Sequence, residues 1–166
     1  MCSSDLETTV NLIGNGTHAL LRHPDQLDLV QTDESVDDTV ADELLRYDSP
    51  VQTSGRRVMH DVEVAGRVIP SGEMVLTALG SANRDPRFWG DTADQLDVTR
   101  ADANRHMSFG SGVHHCLGAA LARMEGEIAL TRLVRRFPDL ALAAEPTYNA
   151  RIILRGREVL PVRLGS

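Results

Sequence analysis

The hydrophobic period changes several times along the 166 residues, and each change marks an element. Thr9 to Ile13 reads as the end of a helix that stops near Gly14-Asn15-Gly16, since glycine weakens a helix interior. A short second helix is predicted from Thr17 to Arg22, where Ala19, Leu20 and Leu21 favour helix and Pro24 forces the chain out. Ser35 with Asp38 three residues on approximates a capping box. Val36, Val40, Ala41, Leu44 and Leu45 then form a helical stripe, closed by Pro50 soon after Tyr47. Glu43 and Arg46, three apart, share a face of that helix.

From Val51 the period falls to two. Val62 and Val64 alternate with polar neighbours, Ala65-Gly66 reads as a turn, and Val68-Ile69 forms a partner strand ending at Pro70-Ser71-Gly72. Met74 to Leu79 is more continuously apolar, which predicts a better buried strand. Asn83 to Arg105 shows no sustained period; so long an irregular segment suggests a functional or tightly wrapped loop, which Phe88 and Trp89 would pin to the core. A long helix is predicted from about Leu117 to Phe137, with Leu117, Leu121, Met124 and Ile128 continuing through Leu133, Val134 and Phe137 as its core face. Ile152 to Leu154 and Val159-Leu160, joined around Gly156, read as paired strands. The fold class is mainly α with small β sheets (α+β), in one partial domain spanning residues 1–166 without repeat or linker.

Composition narrows the functions. Hydrophobic residues at 42% and charged residues at 25% are those of a core-forming globular chain. A formal charge of −7 argues against nucleic acid, which attracts a positive footprint. Nine acids face one base between Asp25 and Asp48, predicting a solvated acidic helix region. Charged residues or glycine interrupt every apolar run before it reaches spanning length, so no membrane partner is expected. Met1 to Leu6 lack the basic and apolar regions of a secretory signal, and the expected location is cytoplasmic.

The chemistry concentrates in Phe109-Gly110-Ser111-Gly112-Val113-His114-His115-Cys116-Leu117-Gly118. Gly110 and Gly112 let the backbone turn tightly and approach a bulky ligand, and a cysteine just before a helix has first-turn N–H groups directed toward its sulfur. Such a setting favours thiolate, either as metal ligand or as nucleophile. A phosphate loop is disfavoured because the Lys-Ser/Thr ending is missing, and structural zinc because no second ligand pair stands at finger spacing. His114 or His115 as partner of a nucleophilic Cys116 is poorly placed by adjacency. Cys2, the other cysteine, is a poor bridge partner at a chain end. Haem ligation requires one axial thiolate, close backbone approach and cationic neighbours, and the segment supplies all three.

Phe109, Gly110, Gly112, His114, Cys116 and Gly118 resemble the haem-binding signature of the cytochrome P450 family, and Glu43-Leu44-Leu45-Arg46 resembles that family's Glu-x-x-Arg helix. The resemblance covers residues 7–164 and implies the C-terminal portion of a bacterial soluble-type P450 fold. It implies haem b bound through the Cys116 thiolate, with Arg56 and His114 contacting propionates and Phe109 packing near the sulfur. His106 is a further candidate on the propionate side, with simple packing as the alternative. Glu43 and Arg46 would anchor the irregular segment before the cysteine loop. Glu7-Thr8 resembles the family's acid-alcohol pair that relays protons, and Arg123 a position that receives an acidic redox protein.

The departure is Asp5-Leu6 where the family has small residues, which suggests that residues 1–6 are a truncated or mistranslated start. The implied function is a haem-thiolate monooxygenase that inserts one oxygen atom from dioxygen into a small organic substrate, served by a ferredoxin or flavodoxin-like redox partner. A haem-thiolate protein that binds haem or uses peroxide, and an inactive truncated fragment, remain as alternatives.

Overall fold

The computed structural model describes residues 3–165, with side chains from Glu7 onward. Among the described residues six helices, α1 (Ser3–Arg22), α2 (Pro24–Thr32), α3 (Asp37–Tyr47), α4 (Leu79–Ala82), α5 (Pro86–Trp89) and α6 (Ala119–Arg136), accompany eight short strands. The core lies where α1, α2, α3 and α6 meet, with Leu12, Leu20, Val30, Val40, Leu44, Leu130 and Val134 sealed from solvent. All four sheets are two-stranded. This matches the expected mixture of helices and small sheets. Among the described residues no helix is long and apolar enough to cross a membrane.

The predicted break at Gly14-Asn15-Gly16 does not occur, and α1 runs through it as one helix. A Cβ at Gly16 would stand 3.1 Å from methyls of Leu44 and Leu130, and one at Gly126 only 2.7 Å from a Leu12 methyl. These glycines let three helices pack closely, and that contact outweighs their low propensity. Pro24 opens α2 instead of merely ending its predecessor, since the first helical position needs no N–H. Asp33, not Ser35, supplies the cap ahead of α3: its carboxylate accepts the Ser35 N–H at 2.8 Å, starting a 3-10 turn over Glu34–Val36. The predicted stripe of α3 is buried as expected.

Strands β2 (Val62–Val64) and β3 (Arg67–Ile69) form the predicted hairpin. Strand β4 (Met74–Ala78) pairs with β1 (Thr53–Arg57), but Met74 and Leu76 are exposed, contrary to the expected buried strand. An apolar run records a demand for cover without saying which element supplies it. The same correction applies to α6. Leu117, Leu121, Met124 and Ile128 face outward, whereas Ala119, Gly126, Leu130 and Val134 meet the core, with Leu133 and Phe137 packed beside them.

The C-terminal pairing also differs from expectation. Strand β5 (Ala141–Leu142) pairs with β8 (Val162–Arg163), and β6 (Thr147–Tyr148) with β7 (Arg157–Val159), while Leu154 only bridges to Val51. Gly156 lies against Asn11 so closely that a Cβ would fall 2.0 Å from its side-chain oxygen. That approach diverts the chain past α1 instead of into the expected local pairing.

Candidate functional site: a cysteine-walled cavity above a buried charge knot

The segment 83–105 is irregular, as predicted, apart from α5 and short 3-10 turns, and it is held from beneath. Glu43 and Arg46 have no solvent exposure. Arg46 spends all five donors: Nε and Nη2 on the Glu43 carboxylate at 2.7 and 2.8 Å, Nη1 on the carbonyls of Asn83 and Ala93, and Nη2 also on that of Gln95. Glu43 in turn accepts the Asp97 N–H at 2.9 Å and pairs with Arg100. Trp89 is buried beneath the Arg46 guanidinium, 5.2 Å from its ring centre, whereas Phe88 is exposed and does not pin the loop. Asp42, Glu43 and Asp48 are thus buried counterions, which corrects the expectation that this acidic stretch is merely solvated.

Above the knot, Asn83 carries the chain into the cysteine turn. Its side chain accepts the Met107 N–H at 2.6 Å and donates to the Ser108 hydroxyl at 2.9 Å, and that hydroxyl donates to the Leu45 carbonyl. Gly110 and Gly112 then adopt φ of +70° and +64°, the left-handed region glycine enters without strain. The Cys116 N–H closes the turn on the Phe109 carbonyl at 2.9 Å, and α6 begins after Gly118.

Cys116 lines an apolar-walled cavity of about 520 Å³. The same wall includes Thr8, Arg56, Phe109, Gly110, His114 and Gly118, so residues spread over more than a hundred positions of sequence converge there. Arg56, on β1, is steadied by its bonds to the Ser54 hydroxyl and the Gly55 carbonyl at 2.7 and 2.8 Å. His114 sits in the 3-10 turn Gly112–His114 and is exposed. Gly112 belongs to the turn without lining the cavity.

Glu7 is ion-paired with Arg151 and is not part of the wall, whereas Thr8 beside it is. His106 is buried against Asp42, so of its two expected placements the structure shows packing. Arg123 reaches inward to Asp42 at 2.6 Å as well as outward to solvent. Cys2 and the expected anomalous start at residues 1–6 lie outside the described side chains.

Sequence reasoning missed Asn83, Ser108 and Asp42. Only the position of Asp42 next to Glu43 marked it, because hydrogen-bond partners 25 to 81 residues apart leave no local pattern.

The model of the family described as "Cytochrome P450" matches residues 35–145, which include the knot, the cysteine turn and all of α6. The chain belongs to the cytochrome P450 family. Vitamin D(3) 25-hydroxylase of Pseudonocardia autotrophica is 48% identical over 163 residues, covering 96% of this P450 chain and 40% of the relative. Polyketide biosynthesis cytochrome P450 PksS of Bacillus subtilis is 45% identical, covering 97% and 40%. The crystal structure of P450BioI in complex with a fatty-acid-ligated acyl carrier protein superposes with a TM-score of 0.90 at 44% identity, covering 94% of this chain and 40% of that one. The chain therefore spans about 40% of the length of the curated relatives it matches.

The family implies haem-thiolate chemistry, and the residues present fit that group. A single sulfur opens on a largely apolar space within the usual range of cofactor pockets, about 300–1,000 Å³. Gly118 lies beside the sulfur, where a Cβ would stand 3.8 Å from it, in ordinary contact. Among the described residues no cluster of three His, Cys, Asp or Glu side chains competes as a polydentate metal site.

Proposed function

We propose that the chain is the haem-holding portion of a monooxygenase that inserts one oxygen atom from dioxygen into a small organic substrate. The observation that carries this reading is the shared wall of one cavity: Cys116, Phe109, Gly110, Gly118, Arg56 and His114. Cys116 would hold the iron through its thiolate, and Arg56 and His114 would donate to the anionic propionates. Gly110, Gly112 and Gly118 leave room for the macrocycle to approach the backbone, while Phe109 limits water at the sulfur. Haem bound in this way supplies the redox chemistry of oxygen activation, and the protein supplies its orientation and electrostatics.

Thr8 contributes a hydroxyl at the cavity wall, and Glu7 precedes it as the acid of a proton relay. Electrons come from a ferredoxin or flavodoxin-like protein, for which Arg123 offers a partly exposed cation on α6. The hydroxylase names of relatives such as 6-deoxyerythronolide B hydroxylase of Saccharopolyspora erythraea, 47% identical over 161 residues, support oxygen insertion as the reaction class.

The test is haem reconstitution of wild type and Cys116→Ala, followed by reduction and carbon monoxide binding. A thiolate-type spectrum in wild type that is lost in Cys116→Ala is expected; identical spectra overturn the ligand assignment. Turnover driven by peroxide but never by reductant and dioxygen overturns the monooxygenase reading.

A further inference from the structure

Phe109 lines the cavity beside Cys116 and is tied to it through the backbone, since its carbonyl accepts the Cys116 N–H. The Phe109 ring is gripped by two polar neighbours. The His106 imidazole lies 5.3 Å away between ring centres, and the Arg123 guanidinium carbon stands 4.7 Å from the Phe109 centre. These neighbours come from different elements, the loop before the glycine turn and α6. Both nevertheless bond one oxygen: Asp42 Oδ1 accepts Arg123 Nε at 2.6 Å and meets His106 Nε2 at 3.0 Å.

The direction of the histidine bond is fixed by its other nitrogen. The Ser108 backbone N–H donates to His106 Nδ1 at 3.0 Å, so the ring proton sits on Nε2 and points at the carboxylate. The His106 side chain is wholly buried and that of Asp42 nearly so. Burial pushes the Asp42 carboxyl up, but the hydrogen bonds from His106 and Arg123, with the Arg123 charge, outweigh it and hold the group below the ordinary aspartate value. The oxygen is therefore a charged acceptor, and charge-assisted bonds are short and directional. Asp42 also adjoins Glu43, so the grip on Phe109 is anchored in the buried stretch of α3.

We infer that Asp42 is a positioning residue for the iron ligand: its carboxylate holds Arg123 and His106 against Phe109 and so fixes where the Cys116 backbone and sulfur stand in the cavity. The inference rests on the haem-thiolate reading for its consequence at iron, but the mechanical link from Asp42 to Cys116 is testable without haem. Removing the carboxylate frees Arg123 to turn to solvent and leaves the His106 donor facing an apolar wall. Phe109 then loses His106 and Arg123 together, because they share one anchor, and keeps the longer edge contact with His115 at 6.3 Å.

The test uses the full chain as wild type, Asp42→Ala, Asp42→Asn and, as a matched control, Asp37→Ala. Asp37 pairs with Arg135 across the same two helices but touches nothing in the cysteine turn. Two readouts are taken: amide hydrogen exchange at Cys116 without haem, and the ferrous carbon monoxide spectrum with haem. Asp42→Ala is expected to speed Cys116 exchange roughly tenfold and to reduce the share of cysteine-ligated haem. Asp42→Asn keeps an oxygen for His106 and falls between, and Asp37→Ala changes neither readout. Wild-type exchange in both Asp42 variants, or an equal effect in Asp37→Ala, overturns the positioning role. Accelerated exchange in the Asp42 variants together with identical spectra in wild type and Cys116→Ala would keep the mechanical link and sink the haem-thiolate reading instead.

Discussion

Glu43 and Arg46 are sealed from water, whereas Val113 and Leu117, which flank Cys116, are 97% and 104% exposed. In the knot, charges are buried and every donor of Arg46 is matched; at the turn, large apolar side chains stand in solvent although the backbone beneath them is tightly hydrogen-bonded. The contrast separates two demands on one chain. The knot satisfies the backbone of a long irregular segment, which would otherwise bury unpaired carbonyls. The surface of the turn is shaped for a contact that packing within this chain does not supply.

The comparison is broken most severely by Glu43→Ala. It strands Arg46 and Arg100 in a dry site, and a loss of about 3–5 kcal/mol is expected in urea unfolding followed by circular dichroism. A loss within experimental scatter would mean that the knot is not the dry anchor of this fold. Gly110→Ala acts at the turn through strain alone, since φ of +70° is unfavourable for a residue bearing a Cβ. It should cost about 1 kcal/mol in the same measurement while leaving the knot intact. A substitution without effect would show that the turn relaxes freely.

A third network lies between these extremes. His18 Nδ1 accepts from Arg157 at 2.6 Å, and Arg157 also pairs with Asp48, joining α1 and α3 to β7. Burial, followed by the charges of Arg157 and Arg22, holds His18 below its ordinary value of 6.5, against the opposing pull of Asp48 and Glu145. The folded chain thus favours neutral His18, and the unfolded chain protonates first as the pH falls. Stability from this site is complete above about pH 6.5 and declines as the pH drops through the lower folded-state value. Thermal unfolding across that range should show the decline, and His18→Gln should flatten it. The smallest effect belongs to Leu117→Ser, expected within about 0.5 kcal/mol because the side chain touches so little of the chain's own core. A larger loss would show that the turn's surface packs on this chain after all.

Much of the site was legible in sequence because its determinants are local. Gly110 and Gly112 announce a turn through φ, Cys116 stands just before a predicted helix, and Glu43 and Arg46 share a face through three-residue spacing. The hairpin of β2 and β3 is likewise set by two alternating runs around Ala65-Gly66. The convergence of Arg56, His114 and Thr8 on one cavity wall with Cys116 could only be expected from family resemblance, since nothing local measures distances across the fold.

Period and propensity on their own determined the kinds of elements in this chain and the turn that presents its cysteine. Tertiary structure decided which face of α6 is core, that α1 continues through its glycines, that β4 stays exposed, and that Asp42 links the knot to the turn. The reason is physical. Backbone preference and side-chain spacing act over a few residues, but burial and charge pairing depend on what another segment brings within a few ångströms. A glycine reads as a helix breaker until a leucine needs its space, and an acid in a charged run reads as solvated until an arginine and a histidine close over it.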